Sequence, residues 1–160
     1  MEERTDIREV LFPNAVLLPE VTRMVDEGHS VTIRLRGYSM RPFLENDRDK
    51  ALLRKAGDIK VGDPVLAEIA KGKYVLHRIV KIDGDDVTLL GDGNLRTEAC
   101  KTDDIRAAVV GFYRKGRKTP DLVSSRKWKT YSFVWMRLRP VRRYLLAFYR
   151  RIWIPLFGTI

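Results

Sequence analysis

From Val31 onward the sequence is cut into short apolar runs separated by Gly/Asp turns, and this spacing constrains the fold more than any other feature. Val31, Ile33 and Leu35 alternate with Thr32, Arg34 and Arg36. That is the period of a strand with one buried face. Further runs follow at Lys50–Leu53, Pro64–Ile69, Tyr74–Lys81, Val87–Leu90 and Ile105–Phe112. Gly57-Asp58, Gly62-Asp63, Gly72, Asp83-Gly84-Asp85 and Gly91-Asp92-Gly93 punctuate them. Many short strands at this spacing predict a mostly β body, coiled or barrel-like. No internal repeat is present.

The flanks read differently. Residues 1–30 form a helical preface, with Pro19-Glu20 as its first turn and Val21, Met24 and Val25 at helical spacing. Gly28 suits the position just past the helix end, and the His29 imidazole can meet free carbonyls there. After Gly116-Arg117-Lys118-Thr119-Pro120 the composition turns basic and aromatic. Pro140 and Pro155 bracket a helical segment with Val141, Tyr144, Leu145, Phe148 and Ile152 on one side. Arg139, Arg142, Arg143 and Arg150 gather opposite, with Arg151 to the flank. The chain thus divides into a preface (1–30), a β domain (31–118) and a basic, aromatic, amphipathic tail (119–160).

The formal charge of +10 belongs to that tail. Nine of the 31 basic residues lie beyond Asp121, where there is no acid; the remaining 22 nearly balance the 21 acids. A nucleic-acid partner inferred from whole-chain charge would misplace it, and none is expected. Tail aromatics interleaved with arginines fit a lipid interface better. Residues 126–155 are therefore expected to attach the chain peripherally to an anionic membrane surface, ahead of simple packing on the domain. The N-terminus is too charged for a secretory h-region, and no run approaches the roughly 18 apolar residues of a spanning helix. The cytoplasmic face is the expected location. Cys100 stands alone, which rules out an intrachain disulfide and favours a buried small hydrophobe.

Chemistry concentrates in Gly37-Tyr38-Ser39-Met40-Arg41-Pro42-Phe43-Leu44, directly after the first predicted strand. Gly before and Pro after make a tight turn that can present the Ser39 hydroxyl. Met40, odd for an exposed turn, suggests a groove wall. A lone Gly-x-Ser would be an ordinary turn, but this one has company. The segment resembles the Gly-x-Ser-Met-x-Pro nucleophile box of the type I signal-peptidase and LexA-type superfamily. Glu45-Asn46-Asp47-Arg48-Asp49 is similar to that family's acidic turn, with Asn46 replacing glycine, and Gly62-Asp63-Pro64-Val65 to its second Gly-Asp strand start. Tyr74-Val75-Leu76-His77-Arg78-Ile79-Val80 resembles the histidine-type branch of endoplasmic-reticulum, archaeal and some bacterial enzymes. Leu90-Gly91-Asp92-Gly93-Asn94 resembles its Gly-Asp-Asn-Asn box. Together the matches span residues 31–113.

The resemblance implies a signal-peptidase-like coiled sheet and hydrolysis of a peptide or precursor through an acyl-enzyme. Ser39 is then the nucleophile and His77 the general base, whose ordinary pKa of about 6.5 suits the task. Asp92 or Glu98 would orient the imidazole, and both remain open. Substrate would bind as an added strand, with small residues before the cleaved bond and with Met40, Pro42 and Arg78 on the substrate side. Arg78 is too basic to accept a proton, which leaves it a structural or substrate-orienting part. No metal, nucleotide or other cofactor is implied. A non-catalytic binding module on the same fold is the alternative. A LexA-like self-cleaving regulator fits poorly, because only 36 residues precede Gly37 and they hold no Ala-Gly site.

Overall fold

A computed structural model describes residues 14–160 of the chain. Helix α1 (Asn14–Asp26) carries Pro19 in its interior, not in its first turn as the sequence suggests. An interior proline costs about 3 kcal/mol; the burial of Leu18, Val21 and Val25 against the body offsets it. The helix closes as expected at Gly28, whose φ is +93°. The N–H groups of Gly28 and His29 donate to the Val25 and Met24 carbonyls, each at 3.0 Å. Backbone, and not the exposed His29 ring, thus caps the helix.

Eight strands follow: β1 (Val31–Arg34), β2 (Lys50–Arg54), β3 (Pro64–Ala70), β4 (Lys73–Asp83), β5 (Asp86–Leu90), β6 (Glu98–Lys101), β7 (Ile105–Tyr113) and β8 (Asp121–Leu122). They form one antiparallel sheet in the order β1-β2-β7-β3-β4-β5-β6, with β8 added to β7. The mostly β body is therefore as the alternation indicates, with β6 and β8 in addition. Two apolar clusters hold the sheet. Ile33, Ala51, Leu53, Leu66, Val109 and Phe112 build the first with α1 and with Met40, Phe43 and Leu44. Val65, Ala67, Ile79, Val87, Leu89 and Cys100 build the second. Cys100 is a buried free thiol there, and burial pushes its pKa up.

Much of the tail belongs to this body. Helix α2 (Arg126–Arg137) starts where Ser125 Oγ accepts the Trp128 N–H at 3.2 Å, and it buries Trp128, Ser132 and Trp135. Phe43 stacks on Tyr131 at 4.6 Å and meets the edge of Trp128 at 5.1 Å, while Phe112 lies 4.9 Å from Trp128. Past a 3₁₀ turn, α3 (Arg142–Phe148) runs through a π-helical turn (Tyr149–Trp153) into α4 (Ile154–Phe157). Arg142, Leu146 and Tyr149 face the body, whereas Val141, Tyr144, Phe148 and Ile152 are exposed. Among the described residues no helix is long and apolar enough to cross a membrane.

Candidate active site

Ser39 sits in the turn-rich segment that leaves β1, held from three directions. Gly37, at φ +89°, donates its N–H to Asn46 Oδ1 at 2.7 Å. Asp49, wholly buried, accepts the backbone N–H groups of Glu45 at 2.9 Å and Lys115 at 3.0 Å, and it also pairs with Arg48. Those bonds fix the returning limb of the loop to the end of β7. From below, the Gly91-Asp92-Gly93 turn presses against the serine backbone, and the Gly93 N–H donates to the Ser39 carbonyl at 2.7 Å. A Cβ on Gly91 would lie 2.5 Å from Ser39 O and 3.0 Å from His77 Nε2; one on Gly93 would lie 2.5 Å from Tyr38 O. No side chain fits at either position. Gly93 is thus accounted for by the closeness of the nucleophile turn.

Successive residues of β4 point to opposite faces, and His77 and Arg78 use both. His77 is 4% exposed. Its Nδ1 lies 2.6 Å from Glu98 Oε2, carried on β6. The contact is bent away from ideal hydrogen-bond alignment, and neither buried atom has another partner. Nε2 is left for the space beneath Ser39. Burial lowers the imidazole pKa below its ordinary value, and the negative charges of Glu98 and Asp92 only partly oppose that shift. The neutral base therefore prevails at neutral pH.

Arg78 is wholly buried on the other face. Its Nε and Nη2 donate to the two Asp92 oxygens at 2.8 and 2.7 Å, and Nη1 donates to Gly62 O and Ser132 Oγ. Asp92 also accepts from the Tyr131 hydroxyl at 2.8 Å, while its carbonyl takes the Trp135 indole N–H at 3.0 Å. Burial and the Asp92 charge raise the Tyr131 pKa well above the usual phenol range. Desolvation works against the Arg78 cation, yet Asp92 outweighs it and the guanidinium pKa rises. Together these bonds bolt α2 to the glycine turn beneath Ser39.

Ser39 and His77 line one cavity of about 300 Å³. Residues 33–37 form one wall and residues 74–77 another; Leu17 and Leu18 of α1, Met40, Leu44 and Leu66 supply apolar lining, and Glu45 and Asn94 add polar groups. Among the described residues β1 stands last in the strand order, and β4 pairs with β5 only from Arg78 onward. Among the described residues neither the Ser39 hydroxyl nor its backbone N–H makes a hydrogen bond. Met40 reaches the cavity; Asp92 and Arg78 do not. Pro42, joined to Arg41 by a cis peptide bond, stands outside it.

A second, polar cavity of about 240 Å³ shares Ser39 and is walled by Tyr38, Arg41, Asn94, Leu146, Tyr149 and Arg150. The sequence alone assigns no site role to Asn94, Tyr131, Trp135, Tyr149 or Arg150. Tyr131 and Trp135 have aromatic spacing as their only signal, and that spacing suits a lipid face as well. No family model and no curated protein sequence matches the chain.

Proposed function

We propose that this chain is a serine endopeptidase of signal-peptidase type, built on a signal-peptidase-like catalytic sheet. The reading rests first on one observation: Ser39 and His77, 38 positions apart in sequence, line the same cavity, with Glu98 against the far nitrogen of the imidazole.

Ser39 Oγ attacks the substrate carbonyl as His77 Nε2 takes its proton; the same nitrogen returns the proton to the leaving amine, then deprotonates the water that breaks the Ser39 ester and gives that proton back to Oγ. Glu98 keeps the Nδ1 proton in place and stabilises the imidazolium as it forms. The Ser39 N–H supplies an oxyanion donor, an interaction that typically lowers the barrier by about 2.7–4 kcal/mol. Asp92 acts at one remove, since with Arg78 and Tyr131 it sets the glycine turn under the serine. An extended peptide adds alongside β1 and the start of β4, and the apolar side chains of the lining receive small side chains before the cleaved bond. Serine–base contacts tighten once substrate is bound, so the open hydroxyl of the ligand-free site suits the scheme.

A mixture of diverse synthetic peptides, incubated with the chain and read by mass spectrometry, tests the reading. Cleavage after small residues is expected, with Ser39→Ala and His77→Ala each losing about 10⁴–10⁶ of the rate while remaining folded. Cleavage by either variant at the wild-type rate sinks the peptidase. A folded wild-type chain that cleaves nothing supports the binding module.

A further inference from the structure

The C-terminal helix has three faces. Arg142, Leu146 and Tyr149 are buried against the body. Val141, Tyr144, Phe148 and Ile152 repeat at helical spacing on another side and are 44, 64, 50 and 47% exposed. Leu156 lengthens that apolar row at 68% exposed, while Phe157, 70% exposed, turns to a neighbouring side and packs 4.9 Å from the Trp153 ring. Arg143, whose guanidinium lies 5.0 Å over the Tyr144 ring, and Arg151 are exposed on its flanks, Arg139 and Arg150 are exposed farther round the helix, and no salt bridge engages the four among the described residues. Five large apolar side chains in one exposed row, with Phe157 next to them, exceed the scattered exposure normal for a surface.

We propose that this face docks on an anionic lipid bilayer, with the apolar row sunk at the headgroup boundary and the flanking Arg143 and Arg151 on lipid phosphates. Charge selects the occupant. A second copy packed on the same face would bring arginine against arginine, because the chain has no acid after Asp121 to relieve them. An anionic surface complements the cations flanking the row, and the mixture of aromatic, aliphatic and arginine side chains is that of an interfacial helix. Since α2 and the inner face of the last helix pack on the body, the whole domain rides on the contact. The inner face also carries Leu146 and Tyr149 into the cavity that Ser39 shares, so docking would hold that cavity close above the lipid. The proposal stands on this surface alone and holds whether or not Ser39 is a nucleophile.

Sedimentation of the full chain with vesicles tests it, comparing phosphatidylcholine alone with phosphatidylcholine containing phosphatidylglycerol. Binding is expected to the anionic vesicles, to weaken as salt is raised, and to be slight on the neutral ones. The double variant Phe148→Ser, Ile152→Ser should lower the anionic binding constant at least about tenfold. Its circular dichroism should be unchanged, because both side chains are exposed. Arg143→Gln with Arg151→Gln should weaken binding to the anionic vesicles alone. Failure to bind anionic vesicles, or binding that the serine variant leaves intact, overturns the proposal. So does a solution dimer of the wild type that the serine variant dissolves.

Discussion

His77 and Arg78 are neighbours on one strand, and each meets a carboxylate, yet the two pairs are built for opposite ends. Arg78 and Asp92 have side chains 1% exposed and joined by two aligned hydrogen bonds, with Tyr131 on the remaining carboxylate capacity. Every polar demand is met and the charges are fixed. His77 and Glu98 are close but misaligned, and the glutamate side chain is 29% exposed. Burial keeps that imidazole neutral, while the carboxylate stands ready for the proton-bearing form. A sealed pair makes a joint, and a poised one makes a switch. The strand's alternation delivers both from consecutive residues, so the joint fixes the turn on which the switch is to act.

Breaking the joint should give the largest loss. Arg78→Met leaves the Asp92 carboxylate buried without its cation, and denaturant unfolding should show about 3–5 kcal/mol less stability. A variant as stable as wild type would mean that the pair carries no structural load. Breaking the switch should spare the fold and cost activity. Glu98→Gln is expected to reduce kcat/KM about 10²-fold or more, with its unfolding midpoint nearly unchanged. Removal of that negative charge should also move the acidic limb of the pH–rate profile lower, because Glu98 is what raises the imidazole pKa against burial. A limb that moved upward would reverse the electrostatic picture.

The smallest effect sharpens the contrast through pH. The folded-state pKa of His77 lies below its unfolded value of about 6.5. Between the two values the unfolded chain binds the extra proton. The linked stability is therefore fully present above about pH 6.5 and is lost as pH falls through the folded value. A tenfold difference in proton affinity between the folded and unfolded chain corresponds to about 1.4 kcal/mol. His77→Asn should flatten stability across that window; an unchanged slope would place the titration elsewhere.

Strands are legible in the sequence where alternation runs long enough. β6 is not, because Glu98-Ala99-Cys100-Lys101 offers one buried apolar side chain in four residues, too little for a period. The same gap leaves Asp92 and Glu98 indistinguishable. Only a register that sets Leu89 opposite Glu98 and Arg78 opposite Leu90 shows which carboxylate reaches which face of β4. Ser39 and His77 are visible as motifs, since their neighbours in sequence are also their neighbours in the turn and on the strand. Trp128, Tyr131 and Trp135 have a spacing that serves a core and a bilayer equally. What decides is tertiary, namely Phe43, Phe112, Arg78 and Asp92 waiting on the body. The exposed row from Val141 to Leu156 has no such partner among the described residues, and that separates the two halves of one basic tail.

Reaction with a fluorophosphonate, mapped to a single residue across a pH series, bears hardest on the pairing of hydroxyl and imidazole. One adduct is expected, on Ser39, with a rate that falls as pH drops through an inflection below about 6.5 and that collapses in His77→Ala. An adduct on Ser39 that forms as fast without the imidazole, or none while another serine reacts, would contradict it.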